Sequence, residues 1–224
     1  MDKRFYIEPD SHVLVAGATG SGKSFLAEEY LRGYDNVIKL DTKLEVLERY
    51  EKNLSPWRGL EENEDFEVCF SLEDCKQSTF KKIIYAVPYD DQSEETFDDF
   101  FNWIFLRKNT IVWIDELMSF TNSYKFPRGL GRCMIMGRSK GIGIWACTQR
   151  PQGIPAIVIA NCKYFFVFDL RRYEDRKAIV NNSGFPEMLQ MPNDENSTGH
   201  QFWFCRMGDR KAYKAELVPK GKGG

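Results

Sequence analysis

The chain has 224 residues, of which 42% are hydrophobic and 14% aromatic, and its formal net charge is −2. This length suits one α/β domain with a substantial core, and the apolar content excludes an intrinsically disordered chain. A sequence pI of about 5.9 excludes a globally basic nucleic-acid coat protein, so any contact with nucleic acid must come from a local patch.

The first residues do not form the apolar segment of a signal peptide, and no apolar run in the sequence reaches the length of a membrane span. The chain has six cysteines without a C-x-x-C pair, and only two histidines accompany them. The sequence therefore predicts a cytosolic protein whose thiols pack as small hydrophobic side chains, with zinc binding or disulfides as the less favoured interpretation.

The first motif with chemical content runs from Gly17 to Ser24 and reads G-x-x-x-x-G-K-[ST], the phosphate-binding P-loop. It follows an apolar strand pattern at residues 13–15 and precedes a helical pattern at residues 25–32. The motif predicts that backbone N–H groups approach phosphate oxygens at a helix start, that Lys23 reaches the β- and γ-phosphates, and that Ser24 ligates Mg²⁺. The predicted nucleotide contacts are Gly17, Ala18, Thr19, Gly20, Ser21, Gly22, Lys23, Ser24 and Phe25.

Hydrophobic periodicity predicts the elements that follow. Residues 36–41 and 81–87 are typical of strands, and residues 42–53 of a short amphipathic helix. Residues 55–80 carry an acidic cluster and are predicted to form a solvated loop. Ser93 is predicted to cap a helix with an acidic first turn. The buried stripe of that helix is Phe97, Phe100, Phe101, Ile104 and Phe105.

Residues 110–116 form an unbroken apolar strand that ends in Asp115 and Glu116. After a P-loop this is the Walker B pattern, which predicts that Asp115 holds Mg²⁺ through water beside Ser24. In P-loop enzymes with an added catalytic glutamate, the base that activates water stands one residue later, where Glu116 lies. A buried strand followed by two surface acids is the alternative interpretation.

A helix is predicted over residues 126–136 and a strand over residues 142–148, which ends in Thr148-Gln149-Arg150-Pro151. Gln149 at this strand tip is predicted to contact the γ-phosphate or the attacking water, and a simple strand-end turn is the alternative. A last core strand is predicted over residues 164–169, a charged helix over residues 171–180 and a β-hairpin over residues 201–218.

With these three motifs in place, the chain resembles the FtsK/HerA group of DNA-pumping ATPases over about residues 10–185. The most discriminating stretch is Ala-Cys-Thr-Gln-Arg-Pro at residues 146–151, which is similar to the Ala-Thr-Gln-Arg-Pro ending of that group's fourth strand. The resemblance implies an α/β P-loop NTPase of the additional-strand, catalytic-glutamate type. Its mostly parallel central sheet has the order 5-1-4-3-2 and is flanked by helices, with Gln149 on the fourth strand between the two Walker strands.

The resemblance also implies a homo-oligomeric ring, a pentamer or hexamer, that hydrolyses ATP with Mg²⁺ at subunit interfaces and moves double-stranded DNA through a central pore. Members of the group carry a trans-acting arginine finger between the Walker B strand and the glutamine strand. Arg138 lies in this interval, with Arg132 as the alternative, and a solvent-facing arginine at a helix end is the competing interpretation.

Phosphate-gripping residues are harder to assign from the sequence. A motor that moves DNA should grip phosphates without reading bases, which favours Lys125 and Arg128 in the loop after the Walker B strand. The densest basic cluster is interleaved with acids and is interpreted as a solvated helix face. This cluster comprises Arg171, Arg172, Arg176 and Lys177.

The small size of the chain makes it most similar to viral genome-packaging ATPases, either those of tailless membrane-containing viruses or the ATPase half of a small tailed-phage motor. We therefore expect a packaging motor in the host cytoplasm, transiently at the capsid, with a portal or capsid vertex as partner. The predicted organisation is a P-loop ATPase core over residues 1–185, a small lid or hairpin subdomain over residues 186–218 and a flexible tail or linker over residues 219–224. A plasmid or cellular DNA pump, a small-molecule or nucleoside kinase and a non-hydrolysing nucleotide switch stay open as alternatives.

Overall fold

Short apolar runs form the strands of the protein, and the computed structural model describes residues 6–193 and 200–217. Five central strands are buried along their whole length, as expected when helices cover both faces of a parallel sheet. The strands are β1 Val13–Ala16, β2 Val37–Asp41, β3 Glu67–Cys69, β4 Lys82–Ala86, β5 Ile111–Ile114, β6 Gly143–Thr148, β7 Tyr164–Val167, β8 His200–Arg206 and β9 Tyr213–Leu217.

The helices alternate with these strands, and the longest of them begins where the sequence predicts. Ser93 caps the longest helix by accepting a hydrogen bond from the backbone N–H of Thr96 at 3.1 Å, so the predicted capping residue is confirmed. The α-helices in the described ranges are α1 Lys23–Leu31, α2 Glu45–Glu51, α3 Leu72–Gln77, α4 Glu94–Arg107, α5 Arg128–Met136, α6 Ala156–Asn161 and α7 Tyr173–Ser183.

The described strands form one nine-stranded sheet in the order β3-β4-β2-β5-β6-β1-β7-β8-β9. Its parallel centre, β7-β1-β6-β5-β2, is the predicted order 5-1-4-3-2, so this prediction is confirmed. Ala16 at the end of β1 pairs with Thr148 of β6 and Val167 of β7. The P-loop, the two acids and Gln149 therefore all leave the sheet at the carboxyl ends of its strands, where ligands bind in open α/β sheets.

Alternating side chains of the strands supply two separate apolar layers. On one face, Val13 and Trp113 pack with Leu26 and Leu31 of α1. On the other face, residues such as Leu14 and Ile114 pack with the aromatic stripe of α4 and with α5, α6 and α7. Phe97, Phe100, Phe101 and Ile104 of this stripe are buried, whereas Phe105 is only partly buried. The six cysteines are buried free thiols, as predicted.

The prediction of a solvated loop for residues 55–80 is wrong for much of this stretch. Trp57 and Phe66 are fully buried, β3 extends the parallel sheet beyond β4, and α3 follows with Ser71 as its N-cap. β3 is only three residues long and α3 only six, too short to show a clear period in the sequence. The acidic residues before Phe66 are largely exposed, and their pattern predicted a loop although the aromatic residues on either side of them are buried.

The predicted C-terminal hairpin is confirmed, and it joins the main sheet: β8 pairs antiparallel with β7, and β9 with β8. The predicted domain boundary between residues 185 and 186 stays a prediction, and residues 219–224 lie outside the described residues. Within the described ranges, none of the helices combines the length and apolar character that a membrane span requires.

Candidate nucleotide site

The P-loop connects β1 to α1 and surrounds the ammonium group of Lys23. Lys23 donates hydrogen bonds from Nζ to the backbone carbonyl oxygens of Gly17 and Ala18, at 2.8 and 2.9 Å. The side chain is buried, and this burial lowers the pKa of Lys23. An amine held against carbonyl oxygens inside the loop is placed to exchange them for the oxygens of a bound phosphate.

Two glycines of the P-loop are required by backbone conformation or close packing. Gly22 has a φ of +102°, and a Cβ there would lie 2.6 Å from the side chain of Leu217 in β9. A Cβ at Gly17 would lie 2.6 Å from the Cβ of Phe168. The P-loop therefore packs directly against β9 and against Phe168, the residue after β7. These contacts from the C-terminal strands restrain the conformation of the P-loop.

Asp115 is buried at the end of β5 and uses one of its two carboxylate oxygens. Oδ1 accepts hydrogen bonds from the backbone N–H and the hydroxyl of Thr42, at 3.2 and 3.0 Å, and from the backbone N–H of Glu116 at 2.8 Å. Burial and the nearby carboxylate of Asp41 raise the pKa of Asp115 to about 7, against the opposing charge of Lys39. A divalent cation beside this group would favour the carboxylate form.

Glu116 is linked to the P-loop through Gln149. Gln149 donates from Nε2 to Glu116 Oε2 at 3.1 Å, and its own Oε1 accepts a hydrogen bond from the Thr19 hydroxyl at 2.7 Å. The ammonium group of Lys43 lies 3.8 Å from the same Glu116 oxygen. The structure thus brings together the predicted residues Thr19, Gln149 and Glu116, and one oxygen of the glutamate is held from two sides.

Three buried polar atoms of this site have no hydrogen-bond partner among the described residues: Ser21 Oγ, Asp115 Oδ2 and Glu116 Oε1. Unpartnered buried acceptors are costly, which is consistent with a site completed by ligands. In the same ranges there is no cluster of three or more His, Cys, Asp or Glu side chains that could hold a metal ion. The residues fit Mg²⁺ bound by Ser24 and Asp115, because this ion normally takes one or two protein ligands plus phosphate oxygens and water.

Known proteins with a similar chain length and fold include viral packaging NTPases. The genome packaging NTPase B204 from Sulfolobus turreted icosahedral virus 2, solved in complex with ATPγS, superposes with a TM-score of 0.75 over 95% of this chain and 100% of B204, at 16% identity. This chain shares its fold with viral genome-packaging NTPases. VirB4 of Thermoanaerobacter pseudethanolicus superposes with a TM-score of 0.61 over 93% of this chain and 90% of VirB4, at 12% identity.

In sequence, the chain is similar to Protein P9 of Pseudoalteromonas phage PM2, at 27% identity over 219 residues, which cover 95% of this chain and 93% of P9. No protein-family model matches the chain. The resemblance to packaging ATPases and to the FtsK group, predicted from the P-loop, Walker B and Thr-Gln-Arg-Pro motifs, is confirmed by these similarities. The shared packaging-NTPase fold accounts for the position of all three motifs at one edge of the sheet.

Arg138 and Arg132, the two candidates for an arginine finger, lie away from this site. Arg138 is exposed in the turn just before β6, and its charge contributes to the lowered pKa of His12 at the start of β1. It therefore lies at the amino ends of the strands, opposite the P-loop. Arg132 is exposed on α5, and its guanidinium stacks 5.1 Å from the ring centroid of Phe105. Neither arginine completes the site of its own chain.

The predicted DNA contacts lie on the P-loop side of the sheet, in the segment that joins β5 to α5 and at the first residue of α5. Lys125 is exposed and forms an ion pair with Glu94, with a distance of 2.7 Å between Nζ and Oε2. Arg128 is the first residue of α5 and is exposed.

Phe25, the last predicted nucleotide contact, is covered by the guanidinium of Arg58, which lies 4.6 Å from the ring centroid.

Sequence reasoning missed the segment after β2 as part of the site. Thr42 binds Asp115 and Lys43 approaches Glu116, so consecutive residues contact the two consecutive acids. The hydroxyl of Ser119 lies 2.6 Å from that of Thr42 and extends this contact. The available signal was the polar pair Thr42-Lys43 directly after β2, since parallel strands place their carboxyl ends at one edge.

Proposed function

We propose that this chain is the ATP-hydrolysing subunit of a viral genome-packaging motor that translocates double-stranded DNA into a preformed capsid. The observation that carries the proposal is the difference between the two carboxylate oxygens of Glu116. Gln149 and Lys43 hold one of its oxygens, and the other is buried without a partner among the described residues, at the same edge as the P-loop and Asp115. Such an arrangement is suited to polarising water.

Each residue of the site has a distinct task in hydrolysis. Lys23 and the P-loop N–H groups bind the triphosphate of ATP. Ser24 and Asp115 would hold Mg²⁺, which would supply positive charge beside the phosphates. Glu116 accepts a proton from the attacking water, and Gln149 fixes the orientation of Glu116 relative to the P-loop. Arg138 of a neighbouring subunit in a pentameric or hexameric ring stabilises charge that develops on the γ-phosphate.

Several similarities support DNA packaging over the other uses of this fold. B204, a genome packaging NTPase, matches this chain along its whole length, with a higher TM-score than VirB4 has. The curated relative of similar length is a phage protein. The partners we infer are duplex DNA, further copies of this chain and a portal or capsid vertex, met in the host cytoplasm.

Duplex-stimulated hydrolysis tests the proposal. We expect long double-stranded DNA to raise the steady-state rate of ATP hydrolysis by the purified protein, whereas single nucleosides have no effect. Glu116→Gln should lower kcat by about 10²–10⁴-fold with ATP binding retained, because the variant keeps the hydrogen-bonding shape but cannot accept the proton. Lys23→Ala, in contrast, should lose ATP binding as well.

The outcomes separate the competing functions. Turnover that depends on a small acceptor and not on DNA would identify a kinase. Tight ATP binding with negligible turnover, with or without DNA, would identify a nucleotide switch. Hydrolysis by Glu116→Gln at the unmutated rate would show that Glu116 is not the base.

A further inference from the structure

A recess of about 320 Å³ opens beside the P-loop, between the ends of β6 and β7. Its wall includes Thr19 and Gln149, which are hydrogen bonded to each other, and three arginines. The triphosphate-binding and metal-binding residues Lys23, Ser24, Asp115 and Glu116 do not line it. The recess is therefore adjacent to the nucleotide site and shares three residues with it, Ala18, Thr19 and Gln149. The three arginines are Arg150, Arg171 and Arg172.

Arg150 is fixed in place by a buried acid. Its Nε donates to Oδ2 of Asp175 at 3.0 Å, and Oδ1 of Asp175 accepts from the backbone N–H of Gln152 at 3.1 Å. Asp175 is only 2% exposed, while the Arg150 side chain is 42% exposed. A guanidinium has five N–H donors, so Arg150 keeps donors for a ligand after it has bound Asp175.

Arg171 and Arg172 have a different environment from the one that the sequence suggested. They precede α7, which begins at Tyr173, and do not lie on the face of a solvated helix. Both are exposed, and their side chains form no hydrogen bond or ion pair with described residues. Arg176, in contrast, donates to the backbone carbonyl oxygens of Leu170 and Arg171 and is used internally.

The charge of the recess identifies the class of its ligand. Among the described residues that line it, Asp175 is the one acid, and its charge is offset by Arg150. Two arginine charges stay uncompensated on a chain whose net charge is −2. Guanidinium groups bind phosphate oxygens through two parallel hydrogen bonds, so the recess suits a phosphate.

We propose that the recess binds backbone phosphates of duplex DNA and that its occupancy is transmitted to Glu116 through Gln149. This inference rests on the proposed function. DNA is favoured over the nucleotide itself because the recess opens to solvent, its free arginines are exposed, and Lys23, Ser24, Asp115 and Glu116 lie outside it. A phosphate bound beside Gln149 would act on the amide that holds Glu116, which couples DNA contact to hydrolysis.

The double variant Arg171→Gln/Arg172→Gln tests the proposal, with Lys52→Gln/Lys108→Gln as the matched control that removes two exposed positive charges elsewhere. The measurements are the salt dependence of binding to a long duplex and the rate of ATP hydrolysis with and without it. Loss of two phosphate contacts should reduce the slope of log K against log[salt] by about 1.8, since each contact contributes about 0.9. Stimulation by DNA should fall severalfold, while the DNA-free rate and the KM for ATP stay unchanged.

Three results would contradict this inference in different ways. An unchanged salt slope in the double variant, with duplex still bound, would overturn the recess proposal and leave the packaging function standing. A raised KM for ATP with an unchanged salt slope would assign the recess to a nucleotide phosphate. A wild-type protein that neither binds duplex nor responds to it would contradict both proposals. Thermal unfolding of the variants verifies that the fold is intact.

Discussion

Glu116 depends on two polar neighbours that come from different strands. Gln149 belongs to the tip of β6, and Lys43 follows β2. Both approach Oε2, the amide at 3.1 Å and the ammonium at 3.8 Å, so Oε1 is the oxygen that the proposed general base would present to water. A carboxylate with one fixed oxygen loses less orientational freedom when it binds water, which is the basis of preorganised general-base catalysis.

Replacing Lys43 by methionine should lower kcat about tenfold, which corresponds to about 1.4 kcal/mol, and leave the KM for ATP within about twofold. Methionine keeps the aliphatic length but removes the charge beside Glu116. The effect is smaller than an unscreened ion pair would suggest, because the Lys43 side chain is 36% exposed. Steady-state ATP hydrolysis measures both constants.

The chain offers a matched comparison for Lys43. Lys52 directly follows α2 and pairs with the exposed Glu48, so Lys52→Met should leave kcat unchanged. Lys43→Arg should recover most of the rate, since a positive charge is restored. Equal kcat values for Lys43→Met and the unmutated protein would show that the ammonium has no part in positioning Glu116.

The site residues differ in how far the sequence reveals them. The motifs that contain Gly17 to Ser24 and Asp115 can be recognised from residue spacing, because the P-loop and the end of β5 are each continuous in sequence. Lys43 and Thr42 reach the acids only because β2 lies next to β5, a pairing between residues far apart in the chain. The order implied by the family resemblance places these two strands side by side, but it does not determine which side chains meet beyond their ends, so the contacts of Thr42 and Lys43 were not predicted.

At the level of elements, long periodic segments were predictable and short edge segments were not. The helix α4 spans 14 residues with an aromatic stripe, and this helical periodicity is a stronger signal than any local pattern for a strand or a loop. β3 and α3 gain their stability from contact with β4 and from buried neighbours. These tertiary contacts are not visible in the local sequence pattern. The hairpin β8–β9 was predictable from alternation, whereas its pairing with β7 was not.

His12 connects three elements, β1, β6 and α5, and its ionisation should control their stability. Its Nδ1 accepts from the backbone N–H of Ile144 at 3.1 Å, and Nε2 lies 3.1 Å from the carbonyl oxygen of Met134, to which the neutral ring donates. Burial lowers the pKa of His12 to about 4; Arg138 lowers it too, while Asp10 opposes this. A protonated ring could no longer accept from Ile144.

Because the unfolded chain binds the proton near pH 6.5 and the folded chain near pH 4, His12 favours folding fully above pH 6.5 and progressively less as the pH falls towards 4. At pH 5, about 2 kcal/mol of this contribution should be lost relative to pH 7.5. Urea unfolding of the unmutated protein and of His12→Gln at both pH values measures it. His12→Gln should show the smaller decrease between the two.

The exposed His200 provides the comparison for this experiment. His200→Gln should retain the full decrease in unfolding free energy between pH 7.5 and 5. The carboxylates titrate alike in all three proteins, so the difference between proteins isolates the buried ring. An equal decrease in His12→Gln and the unmutated protein would show that His12 does not ionise on unfolding in this range.

For the molecule as a whole, the position of Arg138 limits which site the proposed arginine finger could complete. The six residues of β6 separate the turn that carries Arg138 from the strand tip that carries Gln149. At about 3.3 Å per residue, this distance is on the order of 15–20 Å, longer than an arginine side chain. Arg138 therefore can serve only the site of another subunit, as a head-to-tail ring would allow.

Mixing two inactive variants tests this arrangement. Lys23→Ala subunits lack a working P-loop but carry Arg138, whereas Arg138→Ala subunits carry the P-loop and lack the arginine. Each should lower kcat of a uniform ring by about 10³-fold or more. In an equal mixture, about half of the sites have the P-loop and about half of these face an intact Arg138, so about a quarter of the wild-type rate should return if interfaces are heterologous.

A third protein makes this result decisive. Lys23→Ala/Arg138→Ala subunits cannot donate an arginine, so mixing them with Arg138→Ala subunits should restore nothing although rings still form. A uniform Arg138→Ala ring that hydrolyses ATP at the wild-type rate would exclude Arg138 and direct attention to Arg132, which every one of these subunits carries and which stacks on Phe105 in its own chain. No recovery in either mixture, with mixed rings verified by native mass spectrometry, would show that hydrolysis does not use Arg138 in trans.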